Sequence, residues 1–113
     1  RGGVAATLCE WVTGDTDIEI YEDSLPIRPD VSAACEILGM DPLYIANEGI
    51  MLLSVPESYV ENILVALHSE ESGKYAAVIG EVKKGSGNAY AVTEYGTSRK
   101  IMMPRGELLP RIC

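Results

Sequence analysis

A chain of 113 residues, 47% apolar and 23% charged, is enough for one globular domain with a single core. Its formal net charge of −8 excludes a nucleic-acid partner, because gripping a phosphate backbone needs a basic surface. Apolar runs such as Ile50 to Leu53 fall far short of a membrane span, and three cysteines without framework spacing point to a reducing, cytoplasmic compartment.

The chain contains no Phe and one Trp, so aliphatic side chains and tyrosines must fill the core. Residues 4–13 place Val4, Leu8, Trp11 and Val12 at helical spacing. Asp17-Ile18-Glu19-Ile20-Tyr21 alternates with period two and predicts a half-exposed strand. A helix over 31–38 follows, with Val31, Ala34, Cys35 and Leu38 as its apolar stripe, Pro29 starting it and Gly39 stopping it. The near-continuous apolar runs Ile50 to Val55 and Tyr75 to Val82 suit central strands. Between them, Ser54-Val55-Pro56-Glu57 has capping-box spacing and opens a helix that buries Val60, Ile63, Leu64 and Leu67.

Ala89 to Tyr95 and Arg99 to Met102 then complete a meander with 75–82, through glycine-containing turns. The order α-β-α-β-α-β-β-β predicts an α+β domain with a mixed β-sheet and packed helices over residues 1–103. Residues 104–113 carry Pro104, Gly106 and Pro110 and are expected to form a mobile extended tail, reaching roughly 33 Å if stretched.

Charge is unevenly spread. Residues 1–72 hold 14 acidic and two basic side chains, and residues 73–113 hold three acidic and seven basic. Either sheet-edge lysines fall late by chance, or the basic part docks on an acidic face, its own or a partner's.

Several residues could carry chemistry. Gly2 and Gly3 precede a helix whose first turn is small, which suits either a plain loop or a phosphate resting on a helix N-terminus. Asp41-Pro42 marks a turn, and Asn47-Glu48-Gly49 sets an amide and a carboxylate directly before an apolar run. That pair is either an exposed turn or the seat of a general base. Cys9 and Cys35 sit among apolar neighbours and read as small buried hydrophobes. His68, the single histidine, ends the third helix, where a cation is favoured, and with no second His nearby no metal site is expected. Cys113 is the last residue, so its thiol is tied on one side only. It is either a travelling group carrier or an incidental end to a docking peptide. The opening Arg1-Gly2-Gly3 has no starting Met and reads as the edge of a piece of a longer protein.

The Arg1-Gly2-Gly3-Val4-Ala5 helix start, the segment Met40 to Gly49 with its Asp-Pro-Leu-Tyr and Ala-Asn-Glu-Gly motifs, and the terminal Leu109-Pro110-Arg111-Ile112-Cys113 occur in that order. Together they resemble the C-terminal domain of the HypE carbamoyl dehydratases of hydrogenase maturation, a branch of the aminoimidazole ribonucleotide synthetase superfamily. The resemblance implies that Cys113 accepts a carbamoyl group from the carbamoyltransferase HypF. The group is then dehydrated with ATP and Mg2+ to a thiocyanate, and the cyanide passes to a HypC–HypD complex for a [NiFe] hydrogenase. It further implies Glu48 as base with Asn47 beside it, Gly2 and Gly3 near the ATP phosphates, and a homodimeric parent. Most ATP and magnesium ligands would lie in an N-terminal domain absent from this chain, so the isolated domain is expected to be inactive. A non-catalytic docking module, and a sibling ATP-dependent synthetase or kinase domain, are the alternatives.

Overall fold

The alternation at residues 17–21 produces a strand whose apolar side chains point one way. In the computed structural model, which describes residues 2–47 and 49–103, β1 (Thr16–Tyr21) buries Ile18 and Ile20 and turns Glu19 and Tyr21 outward. It pairs antiparallel with β2 (Gly80–Lys84) on one side and parallel with β3 (Ala89–Val92) on the other. β4 (Ser98–Ile101) closes the sheet antiparallel to β3, giving the order β2-β1-β3-β4. The expected mixed sheet is present.

Its topology is not the expected meander, because β1 occupies the slot between β2 and β3. The cause lies in the turn Gly85 to Asn88, whose polar groups are satisfied by β1. Gly85 N donates to Asp15 O and Gly87 N to Thr16 O, both at 3.0 Å, and Asn88 O accepts from Ile18 N at 3.0 Å. The Asp17 carboxylate accepts from Ser86 N at 3.0 Å and Asn88 N at 2.9 Å. The loop therefore wraps the start of β1 instead of closing a hairpin.

Three helices accompany the sheet, and α1 packs on its core. α1 (Gly3–Trp11) contributes Ala5 and Leu8 to a core completed by Ile18, Ile20, Leu43, Ala89, Ala91 and Ile101. The alanines at 89 and 91 present little bulk to the helix, which allows close packing. α2 (Pro29–Leu38) starts with Pro29 and ends at Gly39, whose φ of 68° an L side chain would strain. Its predicted stripe is mostly unburied: Cys35 is buried, whereas Val31, Ala34 and Leu38 are exposed. The helix lies at the periphery against the 3-10 turn Pro42–Tyr44, with no sheet opposite the stripe. An open apolar depression of about 380 Å³ separates α2 from Met40 and Ile45.

α3 (Val60–His68) is preceded by a 3-10 turn, Glu57–Tyr59, and the predicted capping box at 54–57 does not form. Pro56 itself is extended, with ψ 140°, so helical geometry begins only after it. The expected strand over 50–55 is absent, and the predicted central strand 75–82 meets the observed β2 only at residues 80–82, at a sheet edge. Continuous apolar runs do not by themselves distinguish a strand from another apolar segment. Here both runs flank a cavity of about 790 Å³ into which α3 presents Val60, Ile63, Leu64 and Leu67, all half-buried. His68 ties the end of α3 across to Ala76 O at 2.7 Å.

Part of the uneven charge along the sequence is met by contacts within the domain. Lys83 meets Glu19 at 3.0 Å, and Arg99 meets Glu22 at 2.8 Å and Asp41 at 2.7 Å, each joining the basic part to the acidic one.

The Asp17 loop clasp should give the fold an acid-sensitive component. The N–H of Asn88 holds the carboxyl below its ordinary value of 3.8. Partial desolvation opposes this, while Ser86, Gly87 and the charge of Lys83 add to it. Its stabilisation is therefore complete above the ordinary value and is lost as pH falls through the lowered one. Urea midpoints from about pH 6 to about pH 2 should show Asp17→Asn less stable than the parent at the upper end, the gap closing only in strong acid. A constant gap across the range would show that the charge on Asp17 contributes nothing.

Candidate functional site

One corner of the domain brings together the glycine start of α1, the 41–47 segment and the end of β4. Asp41 organises it. Its Oδ1 accepts Leu43 N at 3.0 Å, capping the 3-10 turn Pro42–Tyr44, and its Oδ2 lies 2.7 Å from Arg99 Nη2 on β4. The Arg99 Nε also donates to Glu22 Oε1 at 2.9 Å, so the guanidinium bridges two carboxylates. Strand alternation explains its position: Arg99 shares a face with Ile101, which is buried, and a cation on that side needs carboxylate partners.

The turn buries Leu43 in the core and sets Tyr44 facing the end of β4. Tyr44 Oη donates to Met102 O and accepts from Met102 N, both at 3.1 Å. The chain is thus held to the 41–47 segment at the point from which it continues toward Cys113. Cys9, in the last turn of α1, points its thiol at Ile101 O at 3.5 Å. Burial first, and the neighbouring Glu10 second, push that thiol above its ordinary value, so it is a poor nucleophile here.

The start of α1 rests on the same segment. Gly3 has φ 65°, and a Cβ on it would meet Leu43 O at 2.7 Å and come still closer to Ile45 O. Its lack of a side chain is what lets the helix seat there. Gly2 is the N-cap with φ 78° and supplies no side-chain cap, so among the described residues the first N–H groups of α1 have neither a carbonyl four residues back nor a capping oxygen from Gly2. The glycine pair therefore has a packing reason at residue 3 and leaves phosphate-binding capacity only in backbone N–H groups of the first turn.

Asn47 is exposed, and its Oδ1 accepts Gly49 N at 2.8 Å, the turn its sequence suggested. Glu48 and Cys113 lie outside the described residues. Gly2, Gly3 and the segment leading to Asn47 are brought together. Cys35 is apart, buried under α2, as its apolar neighbours suggested. Cys9 is only half-buried. Sequence reasoning passed over Tyr44 and Arg99. The signals available were a tyrosine two residues past a turn proline, whose hydroxyl needs a partner when its ring packs, and the period-two placement of Arg99. Among the described residues no three His, Cys, Asp or Glu side chains gather as a metal site. Among the same residues no helix is long and apolar enough to cross a membrane.

This mixed four-stranded sheet with its three helices is the architecture of a known synthetase-like C-terminal domain. Residues 1–92 match the family described as AIR synthase related protein, C-terminal domain, and the chain belongs to that family. Over its whole length it is 44% identical to the carbamoyl dehydratase HypE of Escherichia coli K12, of which it covers 34%. It is also similar to a solved HypE–HypF complex, with TM-score 0.84 and 43% identity over 92% of this chain and 34% of that one. A solved hydrogenase maturation protein HypE in complex with ATP matches with TM-score 0.88 and 38% identity over 100% of this chain and 36% of that one. The chain spans about a third of the length of the curated relatives it matches.

The contact of α1 with the 43–45 backbone makes a clear prediction. Gly3→Ala adds a methyl against fixed carbonyls at a positive φ and should cost about 2–4 kcal/mol. Gly39→Ala has the same kind of φ but open space around it and should cost only about 1 kcal/mol. Chemical denaturation of the two variants would separate them, and equal losses would mean that the carbonyl contact is relieved at no cost.

Proposed function

We propose that this chain is the thiol-carrying domain of a HypE-type carbamoyl dehydratase that makes the cyanide ligand of a [NiFe] hydrogenase. One observation carries the reading. The chain position that leads to Cys113 is hydrogen-bonded, through Met102, to the segment that runs on into Asn47 and that also seats the glycine start of α1. The start of the arm, the run into Asn47 and the phosphate-facing helix start meet at one corner, and the scheme has Cys113 and Glu48 work there. The likeness of this whole chain to about a third of the length of HypE proteins supports the same reading.

In this scheme residues 1–103 form the scaffold and residues 104–113 the carrier arm. The Cys113 sulfur attacks the carbonyl carbon of HypF's activated carbamoyl group, displaces its leaving group and loses its proton. ATP supplies a phosphoryl group that turns the carbamoyl oxygen into a leaving group. Dehydration then removes that oxygen as phosphate and both N–H hydrogens as protons, and the electrons of the N–H bonds become the additional carbon–nitrogen bonds of the thiocyanate. Glu48 takes an N–H proton. Asn47, its Oδ1 committed to Gly49, offers its amide N–H groups to the substrate. The first-turn N–H groups at Gly2 and Gly3 face the phosphates.

Magnesium and most ATP contacts come from a further domain, such as the rest of the length that the relatives have. HypF delivers the group, a HypC–HypD complex receives the cyanide, and the parent protein is a cytoplasmic homodimer. The chain studied alone should neither hydrolyse ATP nor form thiocyanate.

Mass spectrometry of a full-length protein carrying this domain tests the scheme, with HypF, carbamoyl phosphate and Mg-ATP supplied. Cys113→Ala should abolish carbamoyl uptake and leave the thermal midpoint unchanged. Glu48→Gln should accumulate the carbamoyl adduct and slow its conversion by about 100-fold or more, the usual worth of a general base. Thiocyanate at the parental rate in the Gln variant would return Glu48 to the role of a turn residue. No adduct on the parent protein would favour a docking module instead.

A further inference from the structure

We propose that Tyr44 is a positioning residue for the carrier arm, setting the direction in which the chain leaves the sheet toward Cys113. The inference rests on the function proposed above and adds a residue that the scheme does not use. Its basis is the two-way hydrogen bond of the phenol: Oη both donates to Met102 O and accepts from Met102 N, at 3.1 Å each. That exchange is what a neighbouring strand would offer to Met102, so one side chain extends the pairing of β4 past its last ladder residue, Ile101.

Two features make this contact directional. The tyrosine ring packs against the buried core, and the turn that carries it is capped by Asp41, so the hydroxyl has little freedom. A second link from the same turn joins Asp41 Oδ2 to Arg99 Nη2 at 2.7 Å, three residues before Met102. Two attachments fix an orientation where one would leave a pivot. Pro104 lies two residues beyond Met102, and a proline restricts both its own φ and the residue before it. The direction set at Met102 thus reaches Met103, whose backbone the following proline restricts.

The two halves of the proposed reaction differ in what they ask of this clasp. Receiving a carbamoyl group from HypF needs only an arm that can be reached from outside. Dehydration needs the loaded sulfur beside Glu48 and the helix start, a geometric demand of the kind that positioning satisfies. Tyr44 should therefore matter to the second step and not to the first.

Tyr44→Phe keeps the ring and removes only the hydroxyl. In a full-length protein carrying this domain, time-resolved mass spectrometry should show carbamoyl uptake at the parental rate and conversion to thiocyanate slowed by about tenfold, the scale of one lost hydrogen bond. In the same variant, Met102 N–H should exchange with solvent deuterium faster than in the parent, while Ile18 and Ile20 in the central strand keep their protection. Conversion at the parental rate would overturn the proposal, as would a parallel slowing of both steps, which marks a merely structural tyrosine. A parent that takes up no carbamoyl group removes the function and this inference together. A parent that completes both steps beside an indistinguishable Phe variant removes this inference alone.

Discussion

β1 is the constraint on which the domain depends. It is hydrogen-bonded on both edges, and its two inward side chains, Ile18 and Ile20, form the middle of the core. Its parallel partner β3 lies about 70 residues further along the chain, so everything between must fold out and back before the pairing can close. β4 then runs antiparallel to β3 and returns the chain toward the level at which β1 begins. That return is why Ile101 and Met102 end beside α1 and the 41–44 turn, and not at the far end of the sheet.

Around that corner the polar contacts divide labour according to burial. The Arg99 bridge to Glu22 and Asp41 is half-exposed. Each exposed pair of this kind contributes about 1 kcal/mol or less, so its main effect is to fix the geometry of β4 against the turn. The apolar contacts of Leu8, Leu43 and Ile101 supply most of the cohesion, at about 1.5–3 kcal/mol for each fully buried large side chain. Asp41 connects the two kinds of contact, since one carboxylate caps the turn that buries Leu43 and also anchors Arg99.

The other half of the domain is built differently. α3 and the runs 50–55 and 76–79 enclose the larger cavity with side chains that stay half-buried or exposed, Met51 among the most exposed. α2 likewise keeps Ile37 and Leu38 in solvent. The chain thus has a packed core beside the candidate site and open apolar depressions that border it at Val4 on one side and at Met40 and Ile45 on another.

Much of this was legible in the sequence wherever a local rule was sufficient. Period two at residues 17–21 gave β1 as a strand, though a central place was expected of the apolar runs 50–55 and 75–82; helical spacing with Pro29 and Gly39 gave α2, and Asp41-Pro42 gave the turn. The order of elements implied a mixed sheet, and the glycine, Asp-Pro and Asn motifs marked the residues of the corner. Strand order could not be read in that way. The loop 85–88 looks like a hairpin turn, and only the tertiary fold shows its N–H groups spent on β1. The apolar stripe of α2 predicted a buried face, yet what covers a face is decided by its neighbours and not by its own pattern. The Tyr44 clasp on Met102 joins residues 58 positions apart, and no local spacing encodes it. Local backbone preference and hydrophobic period are properties of a few successive residues and are written in the chain. Which distant groups satisfy one another's hydrogen bonds is settled only when the sheet has closed.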